Sequence, residues 1–114
     1  MDKVAAIPIF EALASGIRLD MYRLLVRAAP DGMVAGDIAT ALQIAPNGAS
    51  FHLKTMTQAS LLTVTQEGRF QRYRANLDLM TDLIDYLTAE CCAGNPEQCN
   101  DLNIAIAECC EKSL

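Results

Sequence analysis

The spacing of apolar residues changes once along the chain, near residue 61, and this change most constrains the fold. Before it, apolar residues recur every three or four positions, as they do on the buried face of a helix. After it, apolar and polar residues alternate, as in a strand with one buried face. The spacing therefore predicts helices first and strands afterwards, in a mostly helical α+β fold.

Helical spacing is clearest in the first half of the chain. It predicts helices over residues 4–14, 16–28, 35–42 and 47–59. Pro8 lies near the start of the first helix, where a missing N–H is tolerated, and Ser15 is placed to cap the second. The second helix is expected to bury Ile17, Met21, Leu24 and Leu25. In the fourth helix, the spacing leaves open whether Phe51 or Leu53 is buried.

The alternating segment predicts two strands, 61–66 and 69–75, joined by a tight turn at Gly68. An amphipathic helix over 77–90 and a short acidic helix over 101–111 are expected to follow. Several helices followed by a two-stranded hairpin form the outline of a winged helix-turn-helix. In that outline, helix 47–59 enters the major groove of DNA and the hairpin is the wing. A small α+β domain with another purpose has the same outline.

Charge divides the chain, whose net charge is −5, into a basic body and an acidic tail. Residues 1–76 carry eight Lys or Arg against six Asp or Glu, whereas residues 77–114 carry one Lys against eight acids. Between residues 50 and 76, four basic side chains accompany a single acid, which suits contact with a nucleic acid. We expect residues 1–90 to form a winged-helix and dimerisation domain and residues 91–114 to form a cysteine-rich tail.

Eight polar or basic side chains in the outline are predicted to contact double-stranded DNA. They are Asn47, Ser50, His52 and Lys54 in helix 47–59, and Arg69, Gln71, Arg72 and Arg74 in the wing. Side chains near a helix start can reach base edges or phosphates, and arginines in a wing neutralise phosphates. Two of the eight have an open alternative, since His52 can pack and bond internally and Arg72 can pair with Glu67.

All five cysteines lie in the last quarter of the chain: Cys91, Cys92, Cys99, Cys109 and Cys110. The chain has no apolar run long enough to cross a bilayer and no secretory signal pattern, so we expect a cytoplasmic protein that does not enter a membrane. In that compartment an odd number of cysteines does not predict structural disulfides. Because no base adjoins a cysteine and no phosphate loop is present, an enzyme is not expected.

Three segments resemble the ArsR-type (arsenic-repressor) family of bacterial transcriptional repressors. They are FEALASGIRLDMYRLLV, GDIATALQIAPNGASFHLKTMTQASLLTVTQEGRFQRYRAN and LIDYLTAECC. The resemblance covers residues 10–99 and is most specific in SFHLKTM and in the wing sequence EGRFQRYR. It implies a homodimeric winged-helix repressor that binds operator DNA when free of effector and leaves it when a metal or metalloid ion binds. Two reading helices in a dimer imply an inverted-repeat operator.

Two ion sites of the family do not match this sequence. The Cys-Val-Cys-Asp motif of many arsenic and cadmium sensors is replaced by Val34, Ala35, Gly36 and Asp37. The zinc sensors use Asp and His on the last helix, whereas the single histidine here is His52. The segment ECCAGNPEQC resembles instead a subgroup whose arsenite ligands follow the last helix. The resemblance implies that Cys91, Cys92 and Cys99 bind arsenite and antimonite, and it leaves Cys109 and Cys110 as additional ligand candidates.

Three thiolates without an imidazole suit trivalent arsenic better than zinc, which usually takes four ligands. Adjacent side chains on a helix point about 100° apart, so Cys91 and Cys92 can share one ion only where the helix has ended. Gly94 and Pro96 predict that end. A thiol-oxidation sensor, a sensor of trivalent organoarsenicals and an inert tail remain alternatives. Acidic residues beside the cysteines disfavour the reactive thiolate that an oxidation sensor needs.

Overall fold

The computed structural model of the protein describes residues 1–89. The helices of this part of the chain are α1 (Lys3–Leu13), α2 (Gly16–Arg27), α3 (Ala35–Leu42), α4 (Pro46–Gln58) and α5 (Leu77–Thr88). Its strands are β1 (Met33–Val34), β2 (Leu62–Glu67) and β3 (Phe70–Ala75). The chain divides into two units, residues 1–83 and a second unit that begins at Ile84. The order of the elements confirms the predicted α+β, mostly helical winged helix-turn-helix fold, and the expected helix 101–111 lies outside the described residues.

The antiparallel sheet contains one strand that apolar spacing did not indicate. β3 pairs with β2 as expected, and each of the two strands begins one residue later than predicted. The other edge of β3 pairs with β1 through Met33–Tyr73 and Val34–Arg72. A strand of two residues is too short to show alternation, so the sequence carries no periodic signal for it. β1 joins the segment before α3 to the wing.

The first two helices are capped by side chains. Asp2 accepts a hydrogen bond from the Ala5 amide at 2.9 Å, and Ser15 accepts one from the Arg18 amide at 3.4 Å, so the predicted Ser15 cap is confirmed. The expected position of Pro8 near the helix start is wrong, because α1 begins at Lys3 and Pro8 lies inside it. Pro8 has no N–H to donate to the carbonyl of Val4, and the helix tolerates the loss where Val4 is 74% exposed.

The core of residues 1–83 is formed by one face of each helix and by the start of β2. Its largest fully buried side chains are Met21, Leu25, Ile38, Leu53, Met56, Leu61 and Leu62. The prediction for Ile17 is wrong: it is 40% exposed, and Tyr22 is buried in α2 instead. In α4, Leu53 is fully buried and Phe51 is 65% exposed, which decides between the two residues.

The last helix ends at Thr88, two residues before the predicted end. Within the first unit, Leu83 is buried in the core. In the second unit, Tyr86 and Leu87 are exposed. No helix within residues 1–89 combines the length and apolar character that crossing a membrane requires.

The burial of Leu53 predicts a large loss of stability on truncation. We expect Leu53→Ala to lower the free energy of unfolding by about 2–5 kcal/mol, because it leaves a cavity in the core. The matched control is Phe51→Ala in the same helix, which we expect to change the free energy of unfolding by no more than about 0.5 kcal/mol. Urea denaturation followed by circular dichroism measures both, and similar losses in the two variants would contradict the assignment of the buried face.

Removal of the Tyr22 hydroxyl is not expected to lower stability, unlike truncation of Leu53. The hydroxyl is buried and has no hydrogen-bond partner among the described residues. We expect Tyr22→Phe to leave the free energy of unfolding at pH 7 unchanged or to raise it by about 1 kcal/mol. Burial raises the pKa of Tyr22 above its ordinary value of 10.0, because the phenolate would lose its hydration.

The raised pKa also predicts how stability depends on pH. The folded protein keeps the phenol proton to higher pH than the unfolded chain does, so the stability that it contributes is complete below pH 10 and is lost as pH rises towards the folded pKa. Urea denaturation at pH 7 and above pH 10 should therefore show that the free energy of unfolding falls more steeply with pH for the wild-type protein than for Tyr22→Phe. An equally steep decline for both proteins would show that Tyr22 ionises as readily in the folded protein as in the unfolded chain.

Candidate nucleic-acid interface

A tight turn at residues 43–45 joins α3 to α4. Gln43 adopts the left-handed conformation with φ of 57°, and the Ile44 amide donates to the Ala39 carbonyl at 3.1 Å, which closes the end of α3. Pro46 then occupies the first turn of α4, where its missing N–H costs nothing. The two helices and this turn have the order and spacing of a helix-turn-helix.

One face of α4 is exposed to solvent. It carries Asn47, Ser50, Phe51, Lys54 and Gln58, which helical spacing places on one side. The opposite side is held in the core by Ala49, Leu53 and Met56. We call the exposed side the reading face. It brings together three of the four predicted DNA-binding residues of this helix, and it includes Phe51, which the sequence analysis did not assign to DNA.

The fourth predicted residue of the helix, His52, lies beside the reading face and contacts other helices. Its Nδ1 is 3.2 Å from Nη1 of Arg18, and Nε of Arg18 donates to the carbonyl of Ala12 at 2.5 Å. A guanidinium only donates, so Nδ1 is the acceptor in this hydrogen bond. His52 therefore links α4 to α2 and to the end of α1, and its contact with DNA remains a prediction.

The hairpin directs one of its faces towards α4. Gly68, with φ of +61°, makes the turn between β2 and β3, and alternate residues then point to opposite sides. On the side of α4 the hairpin and the helix form an open groove of about 590 Å³. The groove is lined by Ser50, Lys54, Thr57, Gln58, Val64, Gln71 and Tyr73. Gln71 is thus the predicted wing residue that lines this groove together with residues of the reading face.

A hydrogen bond between neighbouring side chains orients Gln71 in the groove. The Tyr73 hydroxyl donates to Oε1 of Gln71 at 3.1 Å. Burial raises the pKa of Tyr73, so the hydroxyl keeps the proton that it donates. The Nε2 group of Gln71 then remains to donate to a ligand in the groove.

Arg72 and Arg74 belong to the other side of the hairpin and are tied to the loop before β1. Arg72 shares its Nε–H between the two carboxylate oxygens of Glu67, at 2.9 and 3.0 Å, and its Nη1 donates to the carbonyls of Asp31 and Gly32 at 3.4 Å. Arg74 donates through Nε to the Pro30 carbonyl and through Nη1 to the Thr65 hydroxyl, both at 3.2 Å. The ion pair that the sequence left open for Arg72 is therefore formed, and the role of both arginines in DNA binding remains a prediction.

The loop packs closely enough against β3 to require a glycine. Gly32 has φ of +73°, and a Cβ added there would overlap the Tyr73 carbonyl and the Arg74 side chain. By contrast, Arg69 is exposed at the turn end of the wing, as Lys54 is on α4. These two cations are the predicted phosphate contacts whose side chains are most open to solvent.

The predicted ion ligands Cys91, Cys92, Cys99, Cys109 and Cys110 lie outside the described residues, so the structure does not bear on them. The boundary proposed between residues 90 and 91 also stays a prediction. In the part of the chain that the structure describes, no three His, Cys, Asp or Glu side chains are grouped so that they could hold a metal ion.

These features define a winged helix-turn-helix, a fold in which one helix and a hairpin present side chains to DNA. Residues 13–65 match the family model described as a helix-turn-helix domain. No curated protein sequence matches the chain. The matched model is that of a helix-turn-helix domain, a kind of domain that binds DNA, and not that of an enzyme.

Solved structures share this fold at low sequence identity. An ArsR-like transcriptional regulator from Rhodococcus superimposes with a TM-score of 0.69 and 20% identity, over 90% of this chain and 93% of that one. A homodimeric winged helix-turn-helix DNA-binding domain from Mycobacterium bovis, a possible ArsR-family regulator, gives 0.61 and 24%, over 81% and 85%. A possible transcriptional regulator for arsenical resistance gives 0.59 and 24%, over 69% and 79%.

The two sides of the wing predict different effects on salt-dependent DNA binding. We expect Arg69→Ala to reduce the slope of log affinity against log salt concentration by about one for each protomer, because an exposed cation releases counterions from phosphate. We expect Arg72→Ala to change the slope less, because its guanidinium is already paired with Glu67. Fluorescence anisotropy of a labelled duplex across a series of KCl concentrations measures both slopes. A larger change for Arg72→Ala would contradict the placement of the two arginines.

Proposed function

We propose that this protein is an ArsR-type repressor that leaves its operator when trivalent arsenic binds. The observation that carries the proposal is the separation of functions along the sequence. Residues 1–89 present an exposed reading face and a wing, and every cysteine of the chain follows them. Two of the similar structures bear ArsR names and a third is described as a possible regulator for arsenical resistance, which supports the family and the effector.

The proposed repressor is a homodimer that binds double-stranded operator DNA. α1 exposes Val4, Ile7 and Phe10 at helical spacing, and the end of α5 exposes Tyr86 and Leu87. Apolar side chains exposed in this way favour burial against a second copy of the chain. The homodimeric state of the similar domain from Mycobacterium bovis supports this inference. A two-fold axis relates the two reading faces, so the operator is an inverted repeat.

The proposed effector site consists of the thiolates of Cys91, Cys92 and Cys99, with Cys109 and Cys110 as additional ligand candidates. Thiolates are soft ligands, so they select arsenite and antimonite over hard cations. The ligands directly follow α5, which takes part in the proposed dimer contact. Binding of the ion bends or unwinds the end of α5 and thereby shifts the two reading faces relative to each other. A tenfold loss of operator affinity requires the ion to bind the DNA-free state about 1.4 kcal/mol more favourably, a modest demand on three metal–sulfur bonds.

Release of DNA under reducing conditions tests this proposal. We expect arsenite to lower the affinity of the reduced protein for a selected duplex at least about tenfold. Cys91→Ser, Cys92→Ser and Cys99→Ser should bind the duplex as the wild type does and should not respond to arsenite, because each removes one of three ligands. Fluorescence anisotropy with excess reductant measures both properties.

Matched controls come from the second cysteine pair. Cys109→Ser and Cys110→Ser test the same chemistry elsewhere in the tail, and an unchanged response in both would limit the site to the first three thiols. Release by peroxide alone, with no response to arsenite, would replace the proposal with a thiol-oxidation sensor. Release by phenylarsenite but not by arsenite would identify a sensor of organoarsenicals. A response that survives all three single substitutions would overturn the assigned ligands.

A further inference from the structure

We propose that Phe51 recognises the C5-methyl group of a thymine in the major groove and so sets a base preference at one position of each operator half-site. The inference rests on the DNA-binding part of the proposed function and is independent of the effector. It follows from the position of one apolar ring on a polar surface.

Phe51 lies on the reading face between side chains that suit DNA. It is 65% exposed, and Ser50, Asn47 and Lys54 flank it on the same side of α4. A phenyl ring cannot bond to the donors and acceptors of a base edge. The feature of a base pair that an apolar side chain recognises in the major groove is the methyl group of thymine. A phenylalanine at this position therefore predicts a thymine opposite it.

The ring of Phe51 has an aromatic neighbour in the protein before DNA binds. It meets the His52 ring edge to face, with centroids 5.6 Å apart and planes 73° apart. His52 is fixed in turn by its contact with Arg18, which bonds to the Ala12 carbonyl. A side chain that is already ordered loses less conformational entropy on binding. His52 is thus a positioning residue for Phe51.

The remaining surface argues against a protein partner for this ring. Lys54, one turn away, and the amide of Asn47 would both lose water in a dry protein interface, whereas phosphates and base edges provide partners for them. The chemistry around Phe51 is therefore that of a DNA-reading position.

Replacement of thymine by deoxyuridine tests the proposal directly, because uracil keeps the base pair and the O4 acceptor but lacks the methyl group. The probe is a duplex selected by the full-length protein from a randomised library. We expect one thymine in each half-site at which deoxyuridine weakens binding by about fourfold, the effect of removing one buried methyl group. Phe51→Ala should bind the thymine duplex more weakly and should show no further loss with deoxyuridine.

A second exposed phenylalanine provides the matched control. Phe70 is 62% exposed in the wing, and Phe70→Ala should keep the full deoxyuridine penalty whatever its effect on overall affinity. Thermal unfolding of Phe51→Ala, expected to match that of the wild type, separates lost recognition from lost folding.

Several outcomes would overturn the inference. One is a wild-type protein that tolerates deoxyuridine at every position, and another is a Phe51→Ala variant that retains the penalty. A change in sedimentation of Phe51→Ala with the penalty intact would assign the ring to a protein contact instead. In each of these cases the protein still selects a sequence, so the proposed repressor function stands. Failure to select any preferred duplex would overturn both proposals together.

Discussion

The fold depends on the burial of one side of α4. Ala49, Leu53 and Met56 enter the core with no more than 2% of their surface exposed, so the helix cannot rotate about its axis without exposing them. This constraint decides which side chains face outward, and the reading face is therefore a consequence of core packing. The Arg18–His52 contact adds a polar link on one flank of the same helix. The orientation of the predicted DNA-contacting side chains is thus set by buried apolar residues on the opposite side of the helix.

The wing is oriented by polar contacts rather than by a large apolar surface. Most of β2 is exposed, and the hairpin is held through Arg72 and Arg74, which bond to the carbonyls of residues 30–32, and through β1. Surface ion pairs such as Arg72–Glu67 contribute little to stability, so the arginines act mainly by setting where the hairpin lies. A count of positive charge in the wing therefore overstates the charge that is open to phosphates.

Sequence spacing predicted the elements well and the orientation of single side chains less well. The third helix was predicted at its observed bounds, and α4 to within one residue, because their apolar positions repeat regularly. Phe51 and Leu53 were indistinguishable, since both are apolar and only the packing of α4 on its neighbours selects one. β1 is too short to have a period, and the contact of His52 with Arg18 joins residues 34 positions apart, which no local pattern shows. The pair of Arg72 with Glu67, five positions apart, was one of two alternatives that the sequence left open. The cysteines, which carry the proposed response, lie beyond the described residues.

The bond from Tyr73 to Gln71 has a consequence for base selection. Because the amide oxygen of Gln71 already accepts a hydrogen bond from the Tyr73 hydroxyl, the side chain offers the groove mainly its two N–H donors. Adenine displays a donor beside its N7 acceptor and is best matched by an amide that both accepts and donates, whereas guanine displays two acceptors. In the predicted contact of Gln71 with DNA, the tyrosine would therefore bias its neighbour away from the usual glutamine–adenine pairing and towards guanine-containing sequence.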